Sequence, residues 1–173
     1  EHWKKTDWEN DLKRMKAVGI KTVRVAEFAW NIIEPYEGKY EFDFFDEFLD
    51  LAYKNEMKVI FCTPSATPPA WLTKKYPESL NADRFGRNYE HGSRRHYNYN
   101  SPVYREKVAN IVEVMAKHYA KHPAIIGWQI DNEFNCETDE FYSESDKIAF
   151  REFLKKRYLT LERLNDAWGT IFW

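Results

Sequence analysis

Two cysteines, Cys62 and Cys136, are all the thiols in 173 residues. They form neither a disulfide framework nor a sulfur-rich metal pattern, so a reducing compartment is expected. Long apolar runs are missing as well: no stretch approaches the roughly 20 residues that cross a bilayer. No charged-then-apolar leader opens the chain, which begins Glu1-His2-Trp3, and a cytoplasmic location is the expectation. An excess of one charge is also absent. The 26 Lys and Arg nearly balance the 28 Asp and Glu, for a formal net charge of -2. That excludes the basic footprint of a nucleic-acid or anionic-membrane binder. No repeat, low-complexity tract or Pro/Gly/Ser linker divides the chain, so it reads as one soluble globular piece of domain size.

Aromatic residues, by contrast, are plentiful at 17%. Such rings mostly fill cores, though flat apolar faces also suit the C–H faces of sugars. Helical and strand patterns alternate along the chain. Thr6 and Glu9 fit a capping box ahead of a helix with the face Trp8, Leu12 and Met15, and Gly19 can end it in a left-handed conformation. A β-branched strand over 21–26 follows. Asp43 can cap a helix with the face Phe45, Phe48, Leu49 and Ala52, and a second strand covers 57–62. The segment 63–101 holds four of the seven prolines, with a short helix over 71–76; a loop of this length in a compact domain is usually functional. Ser101-Pro102 starts a third helix, whose 3.6-residue period runs through Val108, Ile111, Val112, Met115 and Tyr119. A nearly all-apolar strand over 124–130 should be buried on both faces. Two helices, 145–158 and 160–168, close the pattern. This is the βαβ alternation of a parallel sheet. Such sheets place chemistry at the carboxyl ends of their strands, here 27–30, 63–67 and 131–134.

The last of these windows carries Asp131-Asn132-Glu133. Two carboxylates and an amide there cluster charge where desolvation raises pKa, which suits a general acid that must hold its proton near neutral pH. Glycoside hydrolysis requires two carboxyl groups, one acting as such an acid. The bland alternative is a polar strand end with Asp131 capping a turn. The five histidines show no ligand spacing near strand ends, so a metal-dependent barrel hydrolase fits poorly.

Trp128-Gln129-Ile130-Asp131-Asn132-Glu133 resembles the acid/base motif of glycoside hydrolase family 42, the (β/α)8-barrel β-galactosidases. Further segments match in order: Arg24-Val25-Ala26-Glu27-Phe28-Ala29-Trp30, Glu34-Pro35-Tyr36-Glu37-Gly38, Thr63-Pro64-Ser65-Ala66-Thr67-Pro68-Pro69-Ala70-Trp71-Leu72, Gly92-Ser93-Arg94-Arg95-His96-Tyr97, Ser101-Pro102-Val103-Tyr104-Arg105 and Leu164-Asn165-Asp166-Ala167-Trp168-Gly169-Thr170. The resemblance implies an α/β fold, with residues 1–173 forming part of a single catalytic TIM barrel around its second to fourth strands.

By position, it implies Glu133 as general acid/base of a retaining enzyme that releases terminal β-D-galactose. Asn132 would bond the sugar 2-hydroxyl, Arg94 would hold the galactose, and Arg24 would sit at a strand end in the site. Glu27 and Trp30 are candidates for pocket lining, with strand-end packing an equal alternative. No cofactor is implied. Some members hold a structural zinc with four cysteines; the matching positions Asn98, Tyr142, Glu144 and Lys147 lack Cys, so no such site is expected, while Cys136 matches a family cysteine outside that cluster. The resemblance puts the nucleophilic glutamate on barrel strand seven, beyond Trp173, so this chain alone should be inactive. Its open sheet edges and inner face should favour association, including homo-oligomers. A sugar lacking the hydroxymethyl group, α-L-arabinopyranose, is a related substrate. A non-catalytic carbohydrate-binding or assembly half-barrel is the reading from another class.

Overall fold

The structure, a computed structural model, describes residues 2–92, 94–134 and 136–170; Ser93 of the Gly92–Tyr97 motif and Glu1 lie outside these residues. Strands β1 (Thr22–Val25), β2 (Lys58–Cys62) and β3 (Ile125–Gln129) form a parallel sheet in the order β1-β2-β3. Helix α1 (Lys5–Ala17) precedes β1. The short α2 (Trp30–Ile33) and then α3 (Asp43–Lys54) lead to β2. Helices α4 (Ala70–Lys75) and α5 (Pro102–Tyr119) lead to β3, and α6 (Glu144–Tyr158) and α7 (Leu161–Trp168) follow. The strand–helix alternation read from the sequence is therefore the architecture, a parallel sheet consistent with part of a (β/α)8 barrel.

Local chemistry explains most helix ends. Gly19, at φ +89, closes α1 with its N–H on Lys16 C=O while Ile20 N–H reaches Met15 C=O, the paired bonds of a Schellman end. Ser101 caps α5 by accepting from Tyr104 N–H, with Pro102 in the first turn. Three readings differ. Asp43 is the first residue of α3 rather than its cap; Phe42 holds the cap position without a side-chain bond. Helix α1 starts two residues earlier than a Thr6 cap allows: Lys4 is the cap residue, and Thr6 lies inside the helix. The Trp8 indole bonds Trp3 C=O at 3.3 Å, folding the leading residues over that first turn. Helix α6 begins at Glu144 under a full capping box, Ser143 with Asp146, which the sequence reading overlooked.

One face of the sheet is packed and the other is open. Val59 and Phe61 of β2 are fully buried under α3 and α5. Phe61 touches Phe45 at 5.4 Å, Tyr119 at 4.8 Å and Trp128 at 5.4 Å between ring centroids, all edge-on, and burying such a ring contributes about 1.5–3 kcal/mol. The alternate residues Arg24, Cys62 and Gln129 face the opposite side, where the polar groups of the site gather. The expectation of a β3 buried on both faces is not met: Ile126 is 58% exposed. β3 is the edge of this sheet, with no described strand beyond it to cover its apolar side chains. Continuous hydrophobicity marked a central strand of the barrel, and the neighbour it calls for is not among the described residues.

Candidate active site

The site assembles at the carboxyl ends of all three strands. From β1, Arg24 donates through Nη2 to Glu27 Oε1 at 2.8 Å and through Nη1 to Gln129 Oε1 at 2.9 Å. Gln129 closes β3 and donates in turn to Asp131 C=O at 2.8 Å and to Asn132 Oδ1 at 3.4 Å. A single relay, Glu27–Arg24–Gln129–Asn132, thus spans the sheet on its open face. Cys62, at the end of β2 beneath it, has its thiol pushed up to about 12 by burial and then by the Glu27 carboxylate. A thiol held so firmly protonated is a core group rather than a nucleophile.

Beyond β3 the chain turns sharply. Asp131 at φ 56 and Glu133 at φ 48 both sit in the left-handed region, which costs an L-residue about 1–2 kcal/mol each. The long loop after β2 supplies what holds them. It is built on α4, two 3-10 turns, and the bridges Leu80 to Tyr97 and Ala82 to Asn88, and it brings Arg94 and Arg95 over the end of β3. Arg95 is buried, pairs with Asp131 at 3.2 Å and donates to Glu133 C=O. Asp131 also accepts from Ser65 Oγ at 2.8 Å, and its own N–H donates to Thr63 Oγ1 at 2.8 Å. Arg94 pairs instead with the Glu133 carboxylate and lies over the Phe28 ring at 5.8 Å.

Arg24, Glu27, Arg94, Asn132 and Glu133 therefore lie together at the strand ends. Trp30 does not share the open surface. It is fully buried, and its indole donates to Glu34 Oε2 at 2.7 Å. Glu34 is itself buried and takes Gly38 N–H at 2.8 Å, while its carbonyl accepts from Trp71 Nε1 at 2.9 Å. The Glu34–Gly38 motif thus organises the loop behind Glu27. Its Glu37 is held down to about 2 by Lys75, Lys107 and Tyr76, which tie that loop to α4 and α5.

The expected upward shift of the acid is also reversed in this chain. Glu133 is exposed, and its carboxyl lies below the usual range because Arg94 bonds it, with Cys136 as a second donor. Desolvation would raise it, but no described residue covers its outer side. Sequence reasoning overlooked Gln129, Arg95, Ser65 and Thr63 as parts of the site. An Arg-Arg pair opposite an Asp-x-Glu spacing was the available signal for Arg95.

The four positions matching the family's zinc cysteines do not fit a metal. Asn98 is buried, with its amide bonded to Ser143, Ser145 and Asp146, the latter two at 2.8 Å, and the other three positions carry a phenol, a carboxylate and an ammonium. A hydrogen-bonded polar cluster occupies the place and ties the loop to the start of α6.

A family model described as beta-galactosidase matches residues 1–173. Beta-galactosidase Bga of Halorubrum lacusprofundi is 45% identical over 100% of this chain and 25% of that protein, and BgaA of a Thermus species is 47% identical over 100% and 27%. Among solved structures, the β-galactosidase of the psychrophilic Marinomonas ef1 superposes with a TM-score of 0.95 at 46% identity, over 99% of this chain and 26% of that one. The enzyme from Halorubrum lacusprofundi gives 0.95 at 45% identity, over 100% and 26%. The chain spans about a quarter of the length of the relatives it matches.

Proposed function

The chain belongs to the glycoside hydrolase family 42 β-galactosidases, and from that premise we propose that it carries the acid/base side of a retaining active site that releases terminal β-D-galactose. The observation that supports this reading most directly is the position of Glu133: an exposed carboxyl at the carboxyl end of a parallel strand, next to Asn132 and facing Arg94.

In this reading Glu133 protonates the leaving-group oxygen and later takes the proton from the attacking water. Asn132, oriented by Gln129, bonds the 2-hydroxyl, where a hydrogen bond strengthens as the ring flattens toward an oxocarbenium ion. Arg24 and Arg94 hold the sugar, and Glu27 keeps the Arg24 fork aimed across the sheet. Trp30 supports that wall from behind through Glu34. The nucleophilic carboxylate comes from outside residues 1–173, which form one part of a single catalytic barrel domain. Closure by that remainder desolvates Glu133 and brings a second carboxylate near, and both raise its pKa toward what an acid needs. The sugar also competes for Arg94, which removes the contact that now lowers it.

Kinetics of the gene-encoded protein test the assignment. Glu133→Gln is expected to lower kcat/KM on an alkyl β-galactoside, whose leaving group needs a proton, by about 10²–10⁴-fold. Glu133→Ala should be rescued by azide, with a β-configured galactosyl azide as product. Full activity of Glu133→Gln would overturn the reading, and an α-configured product would overturn the retaining course.

A further inference from the structure

We infer that Arg95, through its buried pairing with Asp131, is a positioning residue that sets the direction of the Glu133 carboxyl. This rests on the acid/base reading of Glu133. Arg95 is 1% exposed, and among the described residues its hydrogen-bond partners belong to the turn after β3 or are the tyrosines packed beneath it. Its Nη1 donates to Asp131 Oδ1 at 3.2 Å and to the hydroxyls of Tyr97 and Tyr99; its Nη2 donates to the main-chain carbonyl of Glu133. Tyr99 passes the contact on, donating to Phe134 C=O at 3.4 Å. Asp131 is fixed from the other side by Ser65 and Thr63 of the β2 end, and it accepts Asn132 N–H at 2.6 Å.

Two features separate this from ordinary core structure. First, the bracket grips the backbone on both sides of Asn132 and at Glu133 itself, where φ is left-handed at positions 131 and 133, and Arg95 is left-handed too. A chain left to its own preferences would relax toward extended or helical angles and swing the carboxyl away. Second, a buried ion pair is a poor device for stability alone, since apolar residues of the same volume do as well or better. What an Arg–Asp pair with directed bonds adds is a single backbone geometry. The Glu133 carboxyl itself is bonded, among the described residues, by Arg94 and Cys136 on the exposed side, so its direction follows the backbone beneath it. A misplacement of about 1 Å at a reacting group costs on the order of 100-fold in rate.

The test is a leaving-group comparison in the gene-encoded protein, using kcat/KM on dinitrophenyl β-galactoside, which departs without a proton, and on an alkyl β-galactoside, which does not. Glu133→Ala should depress the alkyl substrate about 10²–10⁴-fold more than the activated one. Arg95→Lys keeps charge but loses the fork, and should show the same selective loss at about 10–100-fold. Tyr99→Phe, which leaves the ion pair in place, should show it at about 2–5-fold and decides the matter if Arg95→Lys does not fold. Equal losses on both substrates, or none, in Arg95→Lys and Tyr99→Phe while Glu133→Ala discriminates would overturn the positioning role and leave the acid/base reading standing. A Glu133→Ala variant that does not discriminate would overturn both.

Discussion

Arg94 and Arg95 are adjacent in the chain, and Asp131 and Glu133 nearly so, yet the two ion pairs they form sit in different media. The side chains of Arg95 and Asp131 are 1% and 6% exposed; those of Arg94 and Glu133 are 32% and 55% exposed. Similar charges on neighbouring residues thus face opposite ways, because the left-handed turns at positions 95, 131 and 133 redirect successive side chains. The inner pair is enclosed by Ser65, Tyr97 and Tyr99, which also bond it. The outer pair can exchange partners with solvent or with Glu137. A fixed charge pair holds one geometry, and an exchangeable one leaves its carboxyl open to other partners.

The largest difference between them should appear in stability. Asp131→Ala strands a buried guanidinium and is expected to cost about 3–5 kcal/mol, read as a lowered urea midpoint at unchanged slope. Glu133→Ala, at the exposed pair, should move that midpoint far less. Equal effects would erase the distinction. Next, Ser65→Ala removes the hydroxyl that donates to Asp131 Oδ2 and should cost about 1–3 kcal/mol.

Titration gives a smaller but more selective contrast. Arg94 and Cys136 depress the Glu133 carboxyl, so Arg94→Met should move its carbon-13 titration up toward the ordinary value of 4.5. Raising the salt concentration should shift it the same way, because exposed pairs are screened. By linkage, a depressed carboxyl favours the folded state above its unfolded pKa, and that contribution is lost as pH falls through the folded value. Glu37, held to about 2, follows the same sign. Its contribution is complete above about 4.5 and fades toward pH 2, so Glu37→Gln should flatten that part of the stability–pH curve.

Much of the fold was legible because its signals are local. The Schellman end at Gly19, the Ser101-Pro102 start and the apolar period of α5 depend on residues within a turn or two of each other. The 63–101 loop stood out by its length, although its content did not: the Leu80–Tyr97 bridge that helps carry Arg94 and Arg95 over β3 joins positions outside any local pattern. Glu133, Asn132, Arg24 and Glu27 were proposed from family motifs and their strand-end positions. Gln129 and Arg95 were missed because a glutamine ending an apolar strand and the second of two arginines show nothing unusual in sequence. Their importance lies in what they touch.

The exposed side chains teach the same lesson in reverse. Ile126, in the strand expected to be buried on both faces, remains open to solvent, as do Phe150, Phe153 and Trp168 further on, since burial needs a neighbour as well as an apolar side chain. The sequence by itself determined the alternation of strands and helices, their caps, and the family to which the chain belongs, because these follow from backbone preference and short-range pattern. Only the tertiary structure decided which arginine is buried and which is free, and that Glu133 lies exposed beside Arg94. Both depend on desolvation and charge pairing between residues brought together from three strand ends and a long loop.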